Sequence, residues 1–429
     1  MSKSTSISLT NSLSVSLIVI GDEILNGRTK DLNGSWLSQF LFKHGMELTS
    51  MNFIRDNEIE MNAALKMAFH QSDIVITSGG IGPTIDDKTK KVLADFFNQK
   101  IIERDEIAHL VEENYLRFGR VWNRGHNHYH LFPEHFIGVK NPLGLAPGLA
   151  YFDRNTQKLL LSGPGVPREF MAMNEQEFLP LISKFFINKF QENQQVVIRT
   201  TGVPEEKIFN ELCPTLWTDL EQFGKVSSLP HTIGIDIVIS FHGDLAVKKN
   251  KEKEIFKLIE SSAISRNVWQ YGNESLPQLV FELAKKQNKT FGFAESCTGG
   301  LTSSKITDLS GSSEVFFGSI ISYDNTIKTQ ILNVSEKTIH DFGAVSIECA
   351  KEMAMGALKK LNVDYAVSIS GIAGPNGATP NKPVGTVAIG IASKDLNQAS
   401  IFQFPGDRIR LKERFSDMAL LSLYELLKK

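Results

Sequence analysis

The sequence predicts an α/β protein of several domains, and three observations carry that prediction. At 429 residues the chain is too long for one hydrophobic core, so two to three domains are expected. From Val15 onward, apolar runs of strand length alternate with stretches of helical periodicity. That βαβαβα order is the pattern of a parallel sheet covered on both faces. Two glycine-rich turns, Ser78 to Thr89 and Ala294 to Gly300, each follow an apolar run, which is where open α/β sheets place ligands.

Taken in order, Met1 to Ser14 is rich in Ser and Thr and lacks an apolar stretch, so residues 1–14 read as a disordered tail and not a signal peptide. Val15 to Ile20 reads as the first strand. Leu32, Trp36, Leu37, Phe40 and Leu41 share one face of a helix, as do Met61, Ala64, Leu65, Ala68 and Phe69 of the next. Strands are predicted at Glu47 to Phe53 and Ile74 to Thr77, and a helix at Lys88 to Asn98. These belong to a first domain, residues 15–185. Residues 186–272 change character, with strands at Gln195 to Thr201 and Gly234 to Phe241 and helices at Glu205 to Leu212 and Lys248 to Ser262. They form a small α+β linker module. A third domain, 273–429, opens with a helix near Ser275 and a strand Thr290 to Phe293. It continues through strands Gly318 to Ser322, Tyr365 to Ser370 and Gly385 to Ala392, and closes on a helix Leu411 to Leu427 with Leu411, Phe415 and Met418 on one face.

Composition narrows the function. The chain is 41% hydrophobic and 22% charged with a formal net charge of −2, so no global basic field draws in nucleic acid or anionic lipid. Its aliphatic runs are too short to span a bilayer, and a cytoplasmic location is expected. The three cysteines, Cys213, Cys297 and Cys349, are widely spaced, which argues against a disulfide framework and a Cys-only zinc site.

In the first glycine-rich turn, Gly79, Gly80 and Gly82 let backbone approach a phosphate, and Thr84 and Thr89 supply hydroxyls. Asp86 and Asp87 supply hard oxygens for a divalent cation. The plainer reading is a tight strand-to-helix turn with a capping aspartate. Glu23 and Asp56, at the ends of the first two strands, converge on the same sheet edge, where they either hold a metal against a diphosphate or merely cap helices. His126, His128 and His130 alternate, so on a strand they share a face; they form either a metal site or a polar rim.

The second turn presents Ser296 and Cys297 together. A serine needs a base, and a lysine serves if burial or a hydrogen-bonded tyrosine keeps it neutral. Tyr323 and Lys328 follow the next strand; otherwise they are an ordinary strand-end aromatic and a solvated lysine. His340 is the only histidine after Ser275 and lies beside Asp341 in a polar segment, so no Cys-His pair is built. Cys297 is therefore expected to pack under the turn, leaving Ser296 as the nucleophile. The Gly/Pro-rich loop Gly371 to Thr386 is either a connection or a ligand loop.

These motifs resemble a known family. Gly21-Asp22-Glu23, Ser78 to Thr89, Asn141 to Gly148 and Gly163 to Glu169 are similar to the N-terminal domain of the CinA family, which shares the molybdopterin-binding fold. His126 to His130 departs from that pattern, standing where the family has an Asn/Gln-containing segment. Ala294 to Gly300, Tyr323-Asp324-Asn325 with Lys328, Gly371 to Pro375, Lys382 to Gly385 and Gly406-Asp407-Arg408 resemble the family's C-terminal domain, a nicotinamide-nucleotide amidohydrolase. The resemblance implies an α/β fold with an N-terminal parallel-sheet molybdopterin-binding-like domain, a KH-like linker module and a C-terminal α/β deamidase domain. The linker lacks a Gly-x-x-Gly clamp, so RNA binding is not expected.

The resemblance further implies deamidation of nicotinamide mononucleotide by Ser296, Tyr323 and Lys328, without a cofactor. Thr298, Gly299 and Gly300 would serve the oxyanion and substrate, with Gly371 and Gly374 at the substrate loop. Arg408 and Thr379 would hold phosphate, although Arg408 is equally placed for a helix-start surface residue. For the N-terminal domain it implies cleavage of ADP-ribose with a divalent metal at Asp86 and Asp87, and nucleotide contacts from Glu23, Asp56, Gly79, Gly80, Gly82, Thr84 and Thr89. A homodimer acting on small nucleotides, with neither nucleic acid nor membrane as partner, completes that expectation. Two rival readings are a pterin- or nucleotide-binding protein without turnover and a competence-related scaffold.

Overall fold

The computed structural model describes residues 12–84, 87–187 and 193–429. Its backbone falls into two compact units, one reaching Gln195 and taking in Ser240–Glu252, the other holding Val196–Ile239 and Lys253–Lys429.

The first unit is built on a six-stranded sheet in the order Met46–Ile54, Leu13–Ile20, Ile74–Ser78, Lys158–Gly163, Gly148–Asp153, Ile137–Val139. The first four strands run parallel, as the alternating pattern requires. Gly148–Asp153 pairs antiparallel with Lys158–Gly163, because the few residues between them allow a hairpin but no crossover, and Ile137–Val139 pairs antiparallel with Gly148–Asp153 in turn. Leu13–Ile20 starts inside the stretch read as tail, with Leu13 and Ser14 already paired to its neighbour; residues 1–11 lie outside the described residues. Its place inside the sheet explains the apolar run Leu17 to Ile20, while the buried Ser16 is satisfied by the Ser50 and Ser72 hydroxyls. Leu17 and Val19 enter one core with Leu37 and Leu41 of the helix Asn33–Lys43, while Ile18 and Ile20 enter the other with Met61, Ala64 and Leu65 of the helix Glu58–Gln71. The second helix starts where Asn57 accepts a hydrogen bond from the Glu60 amide. Residues 126–130 form turns and not a strand, so the three histidines share no strand face.

The linker residues carry a separate four-stranded sheet, in the order Lys225–Pro230, Gly234–His242, Asn193–Thr201, Val268–Tyr271.

The second unit's larger sheet runs Phe316–Ile321, Phe291–Glu295, Tyr365–Gly371, Thr386–Ala392, Asn397–Gln403. The first three strands are parallel and the last two antiparallel. Phe291 and Phe293 bury one face against the last helix, Arg408–Leu427, through Leu411, Phe415, Leu420 and Leu423. Ala294 and Ala366 bury the other against Met353, Ala354 and Ala357 of Ile347–Leu361. The three parallel strands end at the same edge. There the chain leaves Glu295 for the turn carrying Ser296, and leaves Ile321 for the segment carrying Tyr323 and Lys328.

Candidate active site

Ser296 follows the strand Phe291–Glu295 directly, and its amide donates to the Ile369 carbonyl of the neighbouring strand at 2.9 Å. Gly300 then starts the helix Leu301–Thr307 with φ of 97°, where a β-carbon would also press on Ile321. Glycine alone takes that backbone without strain. The turn leaves Ser296 8% exposed.

Lys328 comes from the helix Asn325–Leu332, whose first turn is capped by Asp324 through the Thr326 amide at 2.8 Å. Its side chain points inward and is 1% exposed. Nζ lies 3.1 Å from Ser296 Oγ, 2.8 Å from the Ser322 carbonyl and 3.1 Å from the Tyr323 carbonyl. Among the described residues no carboxylate forms an ion pair with it. Burial pulls its pKa below the ordinary 10.5, opposed by Cys349, Cys297 and Asp324. A neutral amine has two N–H groups and one lone pair. The two carbonyls match the N–H groups, and Ser296 Oγ then faces the lone pair.

The other predicted residues divide. Cys297 is buried, and burial pushes its thiol up to about 12 against the pull of the Cys297 and Gly371 amides. It is a packing residue. Tyr323 sits beside Lys328 through its main chain only: its ring is 62% exposed and its hydroxyl accepts from Arg408 Nη2 at 3.1 Å. Arg408 Nη1 donates to the Gly374 carbonyl at 2.6 Å, so Tyr323, Gly374 and Arg408 meet. Gly371 is a packing position, since a β-carbon there would lie 3.0 Å from the Phe415 ring and the Thr386 carbonyl. Thr379 lies in the exposed loop, bridged to Lys382. The Gly300 amide, expected to serve the substrate, donates instead to Glu295 Oε2 at 2.9 Å. The Gly299 amide is turned to the Ser296 carbonyl at 3.1 Å. Among the described residues neither the Cys297 nor the Thr298 amide donates to a backbone carbonyl, whereas those of Gly299 and Gly300 are both engaged.

In the first unit, a cavity of about 690 Å³ opens at the carboxyl edge of the parallel strands. Glu23, Asp56, Gly79, Gly80, Gly82 and Asp87, all singled out from the sequence, line it. Gly79 is there of necessity: its φ is 109° and a β-carbon would sit 2.3 Å from the Ile20 carbonyl. Two predicted hydroxyls work differently. Thr89 is buried under the loop, donating to the Gly79 carbonyl at 3.1 Å. Thr84 donates its amide, at 2.9 Å, and its hydroxyl to Asp87 Oδ2. Phe118, Arg120, Tyr129 and Glu169, which sequence reasoning did not single out as site residues, also line it. Glu169 was visible in the motif ending at that residue, but its contact with Asn141 Nδ2 at 2.8 Å is long-range.

Asp86 lies outside the described residues. Among those described, no group of three or more His, Cys, Asp or Glu side chains gathers to hold a metal ion. Asp87 and Glu169 already accept from Thr84 and Asn141. His130 is buried beside Trp122, and burial lowers its pKa. These residues do not by themselves fit a metal site.

Comparison with known proteins places both halves. Residues 273–427 match the family model described as "CinA C-terminal domain", and residues 16–184 the model described as "Probable molybdopterin binding domain". A Caldicellulosiruptor saccharolyticus protein described as competence-damage inducible is 35% identical over 410 residues, covering 94% of this chain and 97% of its own length. A CinA-like protein of Chlorobium limicola is 32% identical over 424 residues, covering 96% and 97%. Among solved structures, the CinA protein of Thermoplasma acidophilum shares 28% identity over 40% of this chain and 99% of its own, with a TM-score of 0.36.

Proposed function

Because the chain belongs to the CinA family, with a molybdopterin-binding-like domain followed by a CinA C-terminal domain, we propose that its C-terminal domain hydrolyses the carboxamide of nicotinamide mononucleotide. One observation carries the reading: a buried lysine, paired with no carboxylate among the described residues, lies 3.1 Å from the hydroxyl of Ser296. Neutral Lys328 takes the Ser296 proton as Oγ attacks the carboxamide carbon. The oxyanion forms against the Thr298 amide, a donor of a kind worth about 3 kcal/mol. Lys328 then gives its proton to the departing nitrogen, and ammonia leaves. Water attacks the resulting ester with Lys328 again as base, giving the carboxylate and restoring Ser296. Tyr323 and Arg408, joined by their hydrogen bond, would hold the nucleotide phosphate over the site. Ammonia release from nicotinamide mononucleotide by wild type, Ser296→Ala and Cys297→Ala is the test. A dead cysteine variant beside an active serine variant would sink the mechanism.

For the N-terminal domain the reading is a nucleotide site of the ADP-ribose class. The cavity's size and its glycine-rich wall support it. Cleavage of the diphosphate calls for a divalent metal, for which Asp87, in the cavity wall, and Asp86, outside the described residues, would supply oxygens. Release of AMP from ADP-ribose on adding magnesium or manganese separates cleavage from binding without turnover. A cytoplasmic homodimer, with both sites serving pyridine-nucleotide recycling, completes the proposal.

A further inference from the structure

Glu295 was expected only as part of the turn, yet it is fully buried, and no ion pair to it is present among the described residues. A buried carboxylate is costly unless its oxygens are satisfied. Here four donors satisfy them. Oε2 accepts from the Gly300 amide at 2.9 Å and the Thr302 amide at 3.2 Å. Oε1 accepts from the Ser303 amide at 2.9 Å and the Ser303 hydroxyl at 2.6 Å. One side chain thus ties the end of the strand Phe291–Glu295 to the start of the helix after the turn, closing the loop that carries Ser296.

The main chain of the same residue holds the other half of the site. The Glu295 carbonyl accepts from the Ser322 amide at 2.7 Å, and the Ser322 carbonyl in turn accepts from Lys328 Nζ at 2.8 Å. Both members of the Ser296–Lys328 pair are therefore referenced to Glu295. Its carboxylate also occupies the helix-start amides, so an anionic part of a substrate finds none of them free.

We propose that Glu295 is the positioning residue of the amide-hydrolysing site. Its carboxylate fixes the turn so that Ser296 Oγ meets Lys328 Nζ at hydrogen-bonding distance. The inference rests on the reading of Ser296 as the nucleophile.

Glu295→Gln keeps the side chain's shape but sets an amide N–H against backbone donors. The expected result is a fall in kcat of about 30- to 100-fold with KM changed less than about threefold, since a misplacement of about 1 Å costs on that order. The rate at which a fluorophosphonate ester labels Ser296, read by intact mass, should fall in parallel. Ser303→Ala removes one of the four donors, and a few-fold fall in both readouts is expected from it even if Glu295→Gln does not fold. A purely structural cap predicts otherwise. If melting temperature drops while turnover and labelling per folded molecule stay at the wild-type level in these variants, the proposal is overturned. If wild type releases no ammonia from nicotinamide mononucleotide but labelling still slows in the variants, the substrate reading fails and the positioning role stands.

Discussion

Lys328 and Cys297 stand close to the same hydroxyl, and burial moves both toward their uncharged forms with opposite consequences. For the lysine the neutral form is the useful base; for the cysteine the neutral thiol is inert. Because the folded pKa of Lys328 lies below the ordinary 10.5, the unfolded chain binds more protons between those two values. Stability should rise with pH across that window, and the acid limb of kcat/KM should fall inside it. Lys328→Met should lose at least about a hundredfold in kcat and flatten the pH dependence of the melting temperature in that window; an unchanged dependence would discount the assignment. Alkylation supplies a second check. With Cys297 at about 12 and Cys349 at about 11 through burial, iodoacetamide at pH 8 should modify the half-buried Cys213 first and the other two only on unfolding. Ser296 and Lys328 were legible in the sequence because their chemistry restricts the partners they can have. The direction of the Tyr323 hydroxyl was not, since Arg408, remote in sequence, sets it. Nor was the role of Glu295, whose partners lie on the far side of the turn.

The helix Leu301–Thr307 that carries the turn is short, and a tie to its neighbours holds its far end. Lys305 Nζ lies 2.6 Å from Asp417 Oδ1 on the last helix and also pairs with Glu413. Asp417 accepts in addition from Thr232 Oγ1, so the loop before the strand Gly234–His242 joins the same cluster. Burial pulls the Lys305 pKa down, but Asp417 and Glu413 outweigh it and leave it raised. Its contribution to stability is thus present below the ordinary lysine value and lost as pH climbs through the raised one. Asp417→Asn should destabilise the second unit by about 1–2 kcal/mol, the pair being partly exposed to solvent. Chemical denaturation at neutral pH measures it, and a variant as stable as wild type would remove the tie from consideration. Helical faces such as Met61-Ala64-Leu65 announced their elements through period alone. The strand Asn397–Gln403 did not. It is an edge strand with mostly exposed residues, and Asn397, Gln398 and Ser400 leave no alternation to read.

The molecule combines two glycine-rich turns, each at the carboxyl edge of parallel strands in a different unit. Their activities should separate. Ser296→Ala should abolish ammonia release and leave the affinity for ADP-ribose unchanged, whereas Gly79→Val, which drives a side chain into the Ile20 carbonyl, should abolish binding and leave ammonia release intact. Calorimetry beside the ammonia assay decides it; loss of both activities in either variant would contradict separation. No helix among the described residues is long and apolar enough to cross a membrane.

The last helix has a consequence for how the molecule is made. Arg408, its first residue, clasps Tyr323 and Gly374, and its buried side chains complete the core under Phe291 and Phe293. During synthesis Ser296 leaves the ribosome long before that helix does. The sheet behind it must wait with its apolar face uncovered, while the N-terminal sheet can already close. Translation that stops short of the final helix would yield a closed N-terminal unit joined to an unsupported C-terminal sheet, a product suited to chaperones and proteases.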